Sequence, residues 1–467
     1  MLPISYNLHN TMKTIKTKIY NLYPPCYPNF KAIIDDLPRI INMGFNAIWL
    51  NPFVEVGIKT QVKRKFNGKN CKLSGSLYAA TWEKDGKHYR LLQPLTFGLE
   101  TNKAVKQVQI LTKKMRDSKV TPMFDLVLNH ISVDSPCFKD QNMKEFFHKK
   151  PHKLFDDTLG FDYKNEFTAK ESGIKQNDKI FNNFWKNKID WFIDVLGFRG
   201  VRVDCVAYTN PFMMKRAINY IRKKLSAKGI KKQNQIIFGE YIGDNEIQPN
   251  FPMAKLLKKI KKEEGALDFS HLMNCSNEIP SIVDIIGKNK TENLSAEINF
   301  KKTLMPSNYV GTIGAPGTHD RLPASVSCIE TFKRHYHKEP TPTELLQLLK
   351  EKFLISAIGS DAGWFLMSGD EFGDTQIKSP PFLYTSPLSY NYENYIKHSI
   401  GKLGVKTNID LQNFIRFINV NLIDKIIFPK DKPHNITFLR IANFFIAHGS
   451  FTYDGKNHII IDLNTKY

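Results

Sequence analysis

The sequence predicts a closed barrel of eight alternating strands and helices, a (β/α)8 or TIM barrel, followed by a short C-terminal β appendage. Short apolar segments alternate about eight times with segments whose apolar residues recur at helical spacing. Strict alternation of this kind implies a parallel sheet. No glycine-rich turn follows the first strand, which argues against an open dinucleotide-binding sheet. A chain of 467 residues is long enough for a barrel and an appendage.

The predicted strands are short and rich in isoleucine, valine and aromatic residues. They cover residues 18–22, 46–52, 120–128, 197–204, 236–240, 266–269, 309–315 and 363–367. The predicted helices repeat apolar residues every three or four positions, and the first stops at Gly44, a residue suited to ending a helix. They cover residues 33–43, 103–118, 181–196, 212–225, 253–263, 343–358 and 409–420.

Three stretches depart from this alternation. Residues 54–99 are polar, irregular and too long for a plain connection. Residues 131–180 form a second polar insertion, between the third strand and the third helix, and residues 272–304 are predicted to hold one or two helices. Near the end of the chain the alternation of strands and helices gives way to short segments with the pattern of β-strands. We therefore divide the chain into a catalytic barrel over residues 1–424, including the insertion 131–180, and an abbreviated C-terminal β module over residues 425–467.

The chain is strongly basic, with 67 Lys and Arg against 45 Asp and Glu and a formal net charge of +22. Such a charge is typical of proteins that bind nucleic acid or an anionic membrane surface. The lysines are spread along the sequence, however, and no nucleic-acid motif accompanies them. A solvated basic surface is therefore favoured. We expect neither a nucleic-acid nor a membrane partner, and the sequence indicates no oligomeric state.

The sequence also bears on the compartment. No run of 18 apolar residues marks a membrane span, and the N-terminal residues lack the basic region and apolar run of a secretory signal. The expected location is the cytoplasm, with signal-independent export left open. Six scattered cysteines without a CxxC pair argue against a zinc site and a disulfide framework. We interpret Cys205 as a small buried apolar residue rather than a nucleophile.

Ionisable residues stand at the ends of several predicted strands. In a (β/α)8 barrel these ends face one mouth, where active sites lie. Taken alone, Arg202 and Asp204 are explained as well by an ion pair that caps a strand as by a catalytic site. Carboxylates, histidines and an arginine that converge on one mouth favour a catalytic site instead. The residues at these strand ends are Asp125, His130, Arg202, Asp204, Glu240, His319 and Asp320.

Four of these segments resemble, in the same order, the signature motifs of glycoside hydrolase family 13, the α-amylase superfamily. The four segments are Asp125-Leu126-Val127-Leu128-Asn129-His130, Val201-Arg202-Val203-Asp204, Phe238-Gly239-Glu240 and Gly317-Thr318-His319-Asp320. The residues around the second segment are spaced farther apart in this chain than in the usual family motif. Ser76-Leu77-Tyr78 is similar to the family segment that carries a tyrosine beneath the cleaved sugar. The resemblance covers about residues 15–425.

The resemblance implies an enzyme that acts on α-glucosidic linkages of α-glucans or malto-oligosaccharides and retains the anomeric configuration. A retaining glycosidase needs two carboxyl groups about 5–5.5 Å apart. By the resemblance, Asp204 is the nucleophile that forms a covalent glycosyl-enzyme, and Glu240 is the general acid and base. Asp320 is implied to bind sugar hydroxyls and to stabilise the oxocarbenium-like transition state.

Four substrate-binding residues are implied as well. Arg202, on the same strand face as Asp204, is expected to keep that aspartate ionised. Tyr78 would stack on the apolar face of the cleaved sugar, and His130 and His319 would donate hydrogen bonds to its hydroxyls. We interpret Asp125 as a structural residue of the barrel mouth.

Two departures from the family leave alternatives open. Asn129 is a position where the family often binds calcium, but no companion ligands stand out in residues 131–180, so no metal or cofactor is predicted and calcium is kept as an alternative. Asp204 is followed by Cys205-Val206-Ala207-Tyr208, where many amylases carry a Lys-His pair that holds the next glucose. A glycosyltransferase similar to maltosyltransferases, or a trehalose-forming enzyme, therefore stays open beside hydrolysis. A non-catalytic amylase-like binding protein is the remaining alternative.

Overall fold

A computed structural model gives the architecture of the chain. It describes residues 16–57, 61–66, 69–74, 77–81, 91, 101–139, 141–150, 158–206, 209–241, 271–274, 293–299, 312–318, 323–358, 362–375, 403, 405–425, 435–441, 444–449, 458–463 and 466–467. The predicted helix over residues 253–263 and the predicted strand over residues 266–269 lie outside this described part.

Eight parallel strands close into a barrel, which confirms the predicted fold class. Each strand pairs in parallel with its neighbours in sequence, and the eighth returns to pair with the first. The strands are β1 (Thr17–Leu22), β2 (Ala47–Leu50), β3 (Thr121–Leu126), β4 (Gly200–Val203), β5 (Ile237–Tyr241), β6 (His271–Asn274), β7 (Thr312–Gly314) and β8 (Gly363–Met367).

The described helices lie between these strands in sequence or after β8, and α5 and α6 both fall between β7 and β8. They are α1 (Phe30–Asn42), α2 (Thr101–Asp117), α3 (Glu171–Ile180), α4 (Pro211–Ala227), α5 (Ala324–Tyr336), α6 (Pro342–Ile358) and α7 (Val405–Phe417). α3 continues through Phe181–Trp185, Lys186–Asp190 and Trp191–Val195, of which the first and last are π turns. α5 is not among the predicted helices. Shorter helical turns are Pro24–Cys26, Pro136–Lys139, Gln141–Lys144, Lys232–Asn234, Asp370–Phe372, Ile418–Leu422 and Ile423–Lys425.

An apolar plug fills the middle of the barrel, because alternate residues of each strand face its interior. Trp49 packs edge-on against Phe238 and Phe365, with ring centroids 5.6 and 5.7 Å apart. Ile19 and Met123 belong to the same buried cluster. The plug therefore forms a dry floor below the barrel mouth.

Polar side chains begin two residues beyond this plug, at the same inward-facing register. On β3, Asp125 lies two residues after Met123, and on β5, Glu240 lies two residues after Phe238. On β4 the inward position beside them is Arg202, whose Cα partner on β3 is Asp125. The carboxyl ends of three neighbouring strands thus present ionisable groups to one mouth.

Additional β structure lies outside the barrel. Strands Gln61–Phe66 and Lys69–Ser74 pair within the stretch 54–99, and strands His130–Ser132 and Thr158–Gly160 pair across the insertion 131–180. A four-stranded antiparallel sheet contains Asn293–Asn299, Asn435–Ile441, Phe444–Gly449 and His458–Asp462, in that order.

The helical prediction for residues 272–304 is wrong in the part that the structure describes. Asn293–Asn299 is a strand and pairs with Asn435–Ile441 of the C-terminal segment. Its partner lies more than a hundred residues away in sequence, so local periodicity gives no sign of the pairing. The appendage therefore includes a strand from the region between β6 and β7.

The acidic pair that follows β8 serves the packing of the barrel wall. The Glu371 carboxylate accepts hydrogen bonds from the Tyr20 hydroxyl at 2.5 Å and from Arg39 of α1 at 2.9 Å. Burial, with the nearby charge of Glu371, holds the pKa of Tyr20 well above its usual value. The Asp370 side chain accepts a hydrogen bond from the backbone N–H of Ala324 at 3.0 Å, at the start of α5. Within the described residues, no helix combines the length and apolar character needed to cross a membrane.

Replacing Gly363 at the start of β8 with alanine is expected to destabilise the barrel. Gly363 has φ +140°, and a Cβ there would lie 1.9 Å from the backbone oxygen of Thr17 on β1. Backbone strain and overpacking together predict a loss of about 3 kcal/mol or more in the free energy of unfolding. The matched control is Gly229→Ala, where φ is +78° but no atom lies within 4 Å. Urea unfolding that shows equal losses for both variants would contradict this account.

Candidate active site

Arg202 of β4 is the centre of the candidate site. Its side chain is completely buried, and its Nη1 donates hydrogen bonds to Asp125 Oδ1 at 2.9 Å and to Asp204 Oδ1 at 2.6 Å. Its Nη2 forms an ion pair with Glu240. Burial alone would lower the pKa of Arg202, but the neighbouring carboxylates Asp125 and Glu240 outweigh it and raise that pKa well above its usual value. The guanidinium is therefore permanently charged and shared by three acids.

Two aromatic side chains enclose the guanidinium of Arg202. Its central carbon lies 4.9 Å from the ring centroid of Trp49 and 5.4 Å from that of Tyr78. The Trp49 indole N–H and the Tyr78 hydroxyl both donate to Asp125 Oδ2, at 3.1 and 2.9 Å. The Asn51 side-chain amide donates to the Tyr78 hydroxyl at 3.0 Å. Asp125 thus holds the loop of Tyr78 against β3 and β4, which agrees with its interpretation as a structural residue.

The two predicted catalytic carboxylates are close together. Asp204 and Glu240 each offer a carboxylate oxygen within 4.8 Å of the other, and both residues are buried. The backbone N–H of Asp204 donates to Leu126 O at 3.0 Å, so the residue continues the ladder between β3 and β4. A separation of at most 4.8 Å between these oxygens is compatible with the arrangement of retaining glycosidases, whose two carboxyl groups lie about 5–5.5 Å apart.

The chain immediately after Asp204 turns back toward Glu240. The backbone N–H of Cys205 donates to Glu240 Oε2 at 3.0 Å, and the N–H of Val206 donates to Glu240 O at 2.9 Å. Cys205 has φ +49°, a left-handed conformation that residues with a side chain seldom adopt. The carboxylate of Glu240 is therefore held by Arg202 on one side and by the backbone of this turn on the other.

His130 lies at the same mouth. It is buried and, with Asp125, lines a pocket whose other walls are mostly apolar, among them Phe53 and Phe192. Asn129 Nδ2 lies 3.4 Å from His130 Nδ1. Nothing in the structure tests calcium binding at Asn129, which stays an alternative to the prediction of no metal.

His319 and Asp320 lie outside the described residues, so their places at the mouth also stay predictions. The chain is described up to Thr318, which follows β7 and is buried. β7 lies between β6 and β8 in the barrel, on the side away from β3. A carboxylate just beyond it is expected to face Asp204 and Glu240 across the mouth.

Sequence reasoning missed three contributors to the site. Trp49 and Asn51 lie at the carboxyl end of β2, so the rule that strand ends face the mouth applies to them as it does to Arg202. Their polar atoms are not ionisable, however, and the prediction considered ionisable residues. Asn51 in turn accepts a hydrogen bond from the Asn21 side-chain amide at 2.8 Å, which extends the network to β1. The third is Cys205, whose backbone conformation depends on tertiary contacts.

Comparisons with known proteins show what this fold resembles. No protein-family model matches the chain, and no curated protein matches its sequence. An α-amylase from Lactobacillus plantarum matches with a TM-score of 0.54 and 15% identity, over 93% of this chain and 88% of that one. An Anoxybacillus α-amylase matches with a TM-score of 0.57 and 13% identity, over 97% of each chain. A cyclomaltodextrinase matches with a TM-score of 0.55 and 12% identity, over 94% of this chain and 69% of that one. At such identities the likeness establishes a shared fold: the chain has the barrel fold of α-amylases.

Replacing Arg202 with glutamine should strongly destabilise the chain. The variant leaves three buried carboxylates without their shared counter-charge, and breaking a buried ion pair costs about 3–5 kcal/mol. Arg199→Gln is the matched control, because the Arg199 guanidinium donates to the backbone oxygens of Ile193 and Phe198. A lost hydrogen bond of a charged group costs about 1.5–3 kcal/mol, but Arg199→Gln leaves backbone oxygens rather than buried carboxylates without a donor, so we expect the smaller loss for this variant. Chemical unfolding measures both variants, and equal losses would refute the central place given to Arg202.

Proposed function

We propose that this chain is a retaining glycosidase of the α-amylase superfamily that acts on α-glucosidic linkages of α-glucans or malto-oligosaccharides. One observation carries the proposal: Asp204 and Glu240 offer carboxylate oxygens within 4.8 Å of each other at the mouth of an amylase-like barrel. Their shared partner Arg202 distinguishes this pair from two acids that meet by chance.

In the first half of the reaction, Asp204 attacks the anomeric carbon and forms a glycosyl-enzyme. Arg202 favours the ionised form of this aspartate through the hydrogen bond of 2.6 Å. Glu240 gives a proton to the leaving oxygen as the glycosidic bond breaks. Tyr78, held by Asn51 and Asp125, offers an aromatic face against which the sugar ring stacks.

In the second half, Glu240 removes a proton from the acceptor, which attacks the anomeric carbon of the glycosyl-enzyme. The bond between that carbon and Asp204 breaks, the carboxylate is released, and the original anomeric configuration is restored. The acceptor is water in a hydrolase and a sugar hydroxyl in a transferase, so the same residues support both reactions. The acceptor approaches on the side of Glu240, where the turn at Cys205 and Val206 lies.

The substrate class is supported by the ligands named for proteins of the same fold. Matching structures include an α-amylase from Geobacillus thermoleovorans complexed with acarbose, and AmyP in complex with maltose. Their TM-scores against this chain are 0.53 and 0.52, at 12% identity in each case. These ligands belong to those proteins, and they make malto-oligosaccharides the first substrates to test here.

Removing either proposed catalytic carboxylate should strongly reduce turnover of maltoheptaose. Losing a general acid and base slows a reaction by about 10²–10⁴-fold, so we expect a loss of that size in kcat for Glu240→Gln and at least as much for Asp204→Asn. Asp178→Asn is the matched control, since Asp178 pairs with Arg216 in a surface ion pair. Full activity in Asp204→Asn would refute the mechanism. A wild-type chain that binds maltoheptaose without turnover would favour the non-catalytic binding protein.

Chromatography of the maltoheptaose products separates hydrolysis from transfer. Oligosaccharides longer than maltoheptaose indicate a sugar acceptor, whereas exclusively shorter ones indicate water. Proton NMR of the first product formed reports its anomeric form, and we expect retention because the two carboxylates are close together. An inverted product would contradict the assignment of Asp204 as nucleophile.

A further inference from the structure

We propose that Asp204, Cys205 and Glu240 form a binding site for one thiophilic divalent cation of the class of Zn²⁺ or Cd²⁺. The ligand atoms are the Cys205 sulfur and one carboxylate oxygen from each acid, and all three lie within 4.8 Å of one another. All three residues are buried, so the site is shielded from bulk water. Among the described residues, this is the one such group of potential ligands.

The backbone of Cys205 determines where its thiol lies. Its left-handed conformation, with φ +49°, is maintained by hydrogen bonds on both sides of the residue. Its N–H donates to Glu240 Oε2 at 3.0 Å, and its carbonyl accepts from the N–H and the hydroxyl of Thr209 at 3.1 and 3.0 Å. Strained residues of this kind persist only where the surroundings hold them in place. The thiol is therefore presented to both carboxylates by a preformed turn.

The donor set selects the kind of cation. Zn²⁺ binds cysteine sulfur at about 2.3 Å and carboxylate oxygen at about 2.0–2.2 Å, and a site with three protein ligands leaves a fourth position for water or a hydroxyl. Such bond lengths place ligand atoms about 3–4 Å apart, so small side-chain rotations close the observed spacing. Ca²⁺ and Mg²⁺ require oxygen ligands, and a thiolate disfavours them. Binding converts the thiol to a thiolate and releases its proton to solvent.

The charges around the site favour a second cation beside Arg202. One guanidinium faces the carboxylates of Asp125, Asp204 and Glu240, so the four groups carry two negative charges in excess when all are ionised. Arg202 contacts Asp204 through Oδ1 and Glu240 through Oε1. A carboxylate has about four lone-pair sites, so Glu240 Oε2, which already accepts the Cys205 N–H, can also ligate a cation, as can the carboxylate of Asp204.

A cation at this site would occupy both carboxylates that the proposed reaction uses. We therefore expect it to inhibit the glycosidase, in competition with the sugar. This consequence rests on the proposed function, whereas the binding of the cation does not. A measurement of binding can therefore refute the cation site without refuting the proposed function, and a measurement of activity can refute the proposed function without refuting the cation site.

Binding is tested by titrating the full chain with Cd²⁺, followed by calorimetry and by the ultraviolet charge-transfer absorption of a cadmium–thiolate bond. We expect one Cd²⁺ per chain and a thiolate band in the wild type, and loss of both in Cys205→Ala. Cys137→Ser is the matched control: Cys137 is also buried, with its sulfur 3.3 Å from Ser135 Oγ, and this variant should retain the band. A wild type without the band, or a Cys205→Ala variant that keeps it, would overturn the proposal.

A second measurement needs no variant and therefore does not depend on how one folds. X-ray absorption at the cadmium edge of the wild-type chain loaded with one equivalent of Cd²⁺ should show one sulfur ligand beside oxygen ligands. A first shell without sulfur would contradict the site. If Cd²⁺ binds through sulfur while the chain shows no turnover of maltoheptaose, the cation site stands and the proposed function falls.

Discussion

The site depends on one guanidinium shared by three carboxylates in a dry environment. Burying Arg202 removes its hydration, a cost of several kcal/mol for each buried ion, and only well-placed counter-charges offset it. Asp125, Asp204 and Glu240 supply those charges from three neighbouring strands. Because all four groups need one another, the distance between the proposed nucleophile and the proposed acid is set by the same contacts that stabilise the mouth of the barrel.

The apolar plug beneath the site strengthens these interactions. Trp49 belongs to both layers, since its ring packs on Phe238 and Phe365 below and faces Arg202 above. Electrostatic attraction increases as the surroundings become less polar. The same effect opposes catalysis at one step: the contact with Arg202 favours the ionised form of Glu240, whereas the proposed first half-reaction needs that residue protonated. The proposed reaction therefore requires that substrate binding weaken the contact between Arg202 and Glu240.

Much of the barrel could be predicted from local periodicity, because buried parallel strands and amphipathic helices repeat at different intervals. The site residues Arg202, Asp204 and Glu240 could be predicted for a second reason: strand ends in such a barrel share one mouth, so polar residues far apart in sequence become neighbours. Trp49 and Asn51 obey the same rule and could have been found by applying it to amides and indoles.

Other features depend on contacts that no local pattern records. Strand Asn293–Asn299 is stabilised by a partner far along the chain, and its sequence, Asn-Leu-Ser-Ala-Glu-Ile-Asn, has the mixed character that a half-exposed strand and a short helix share. The left-handed backbone of Cys205 arises from hydrogen bonds to Glu240 and Thr209, which exist only in the folded chain. For this reason sequence reasoning treated Cys205 as a simple apolar residue.

The pairing of Asn293–Asn299 with Asn435–Ile441 constrains the order of events during biosynthesis. A ribosome releases strand Asn293–Asn299 well before its partner exists, and β7 and β8 emerge in between. Until residues 435–441 have been translated, the strand is an unpaired edge, the kind of surface on which growing chains associate wrongly. Completion of the appendage is therefore a late folding event, coupled to a segment that lies between two barrel strands.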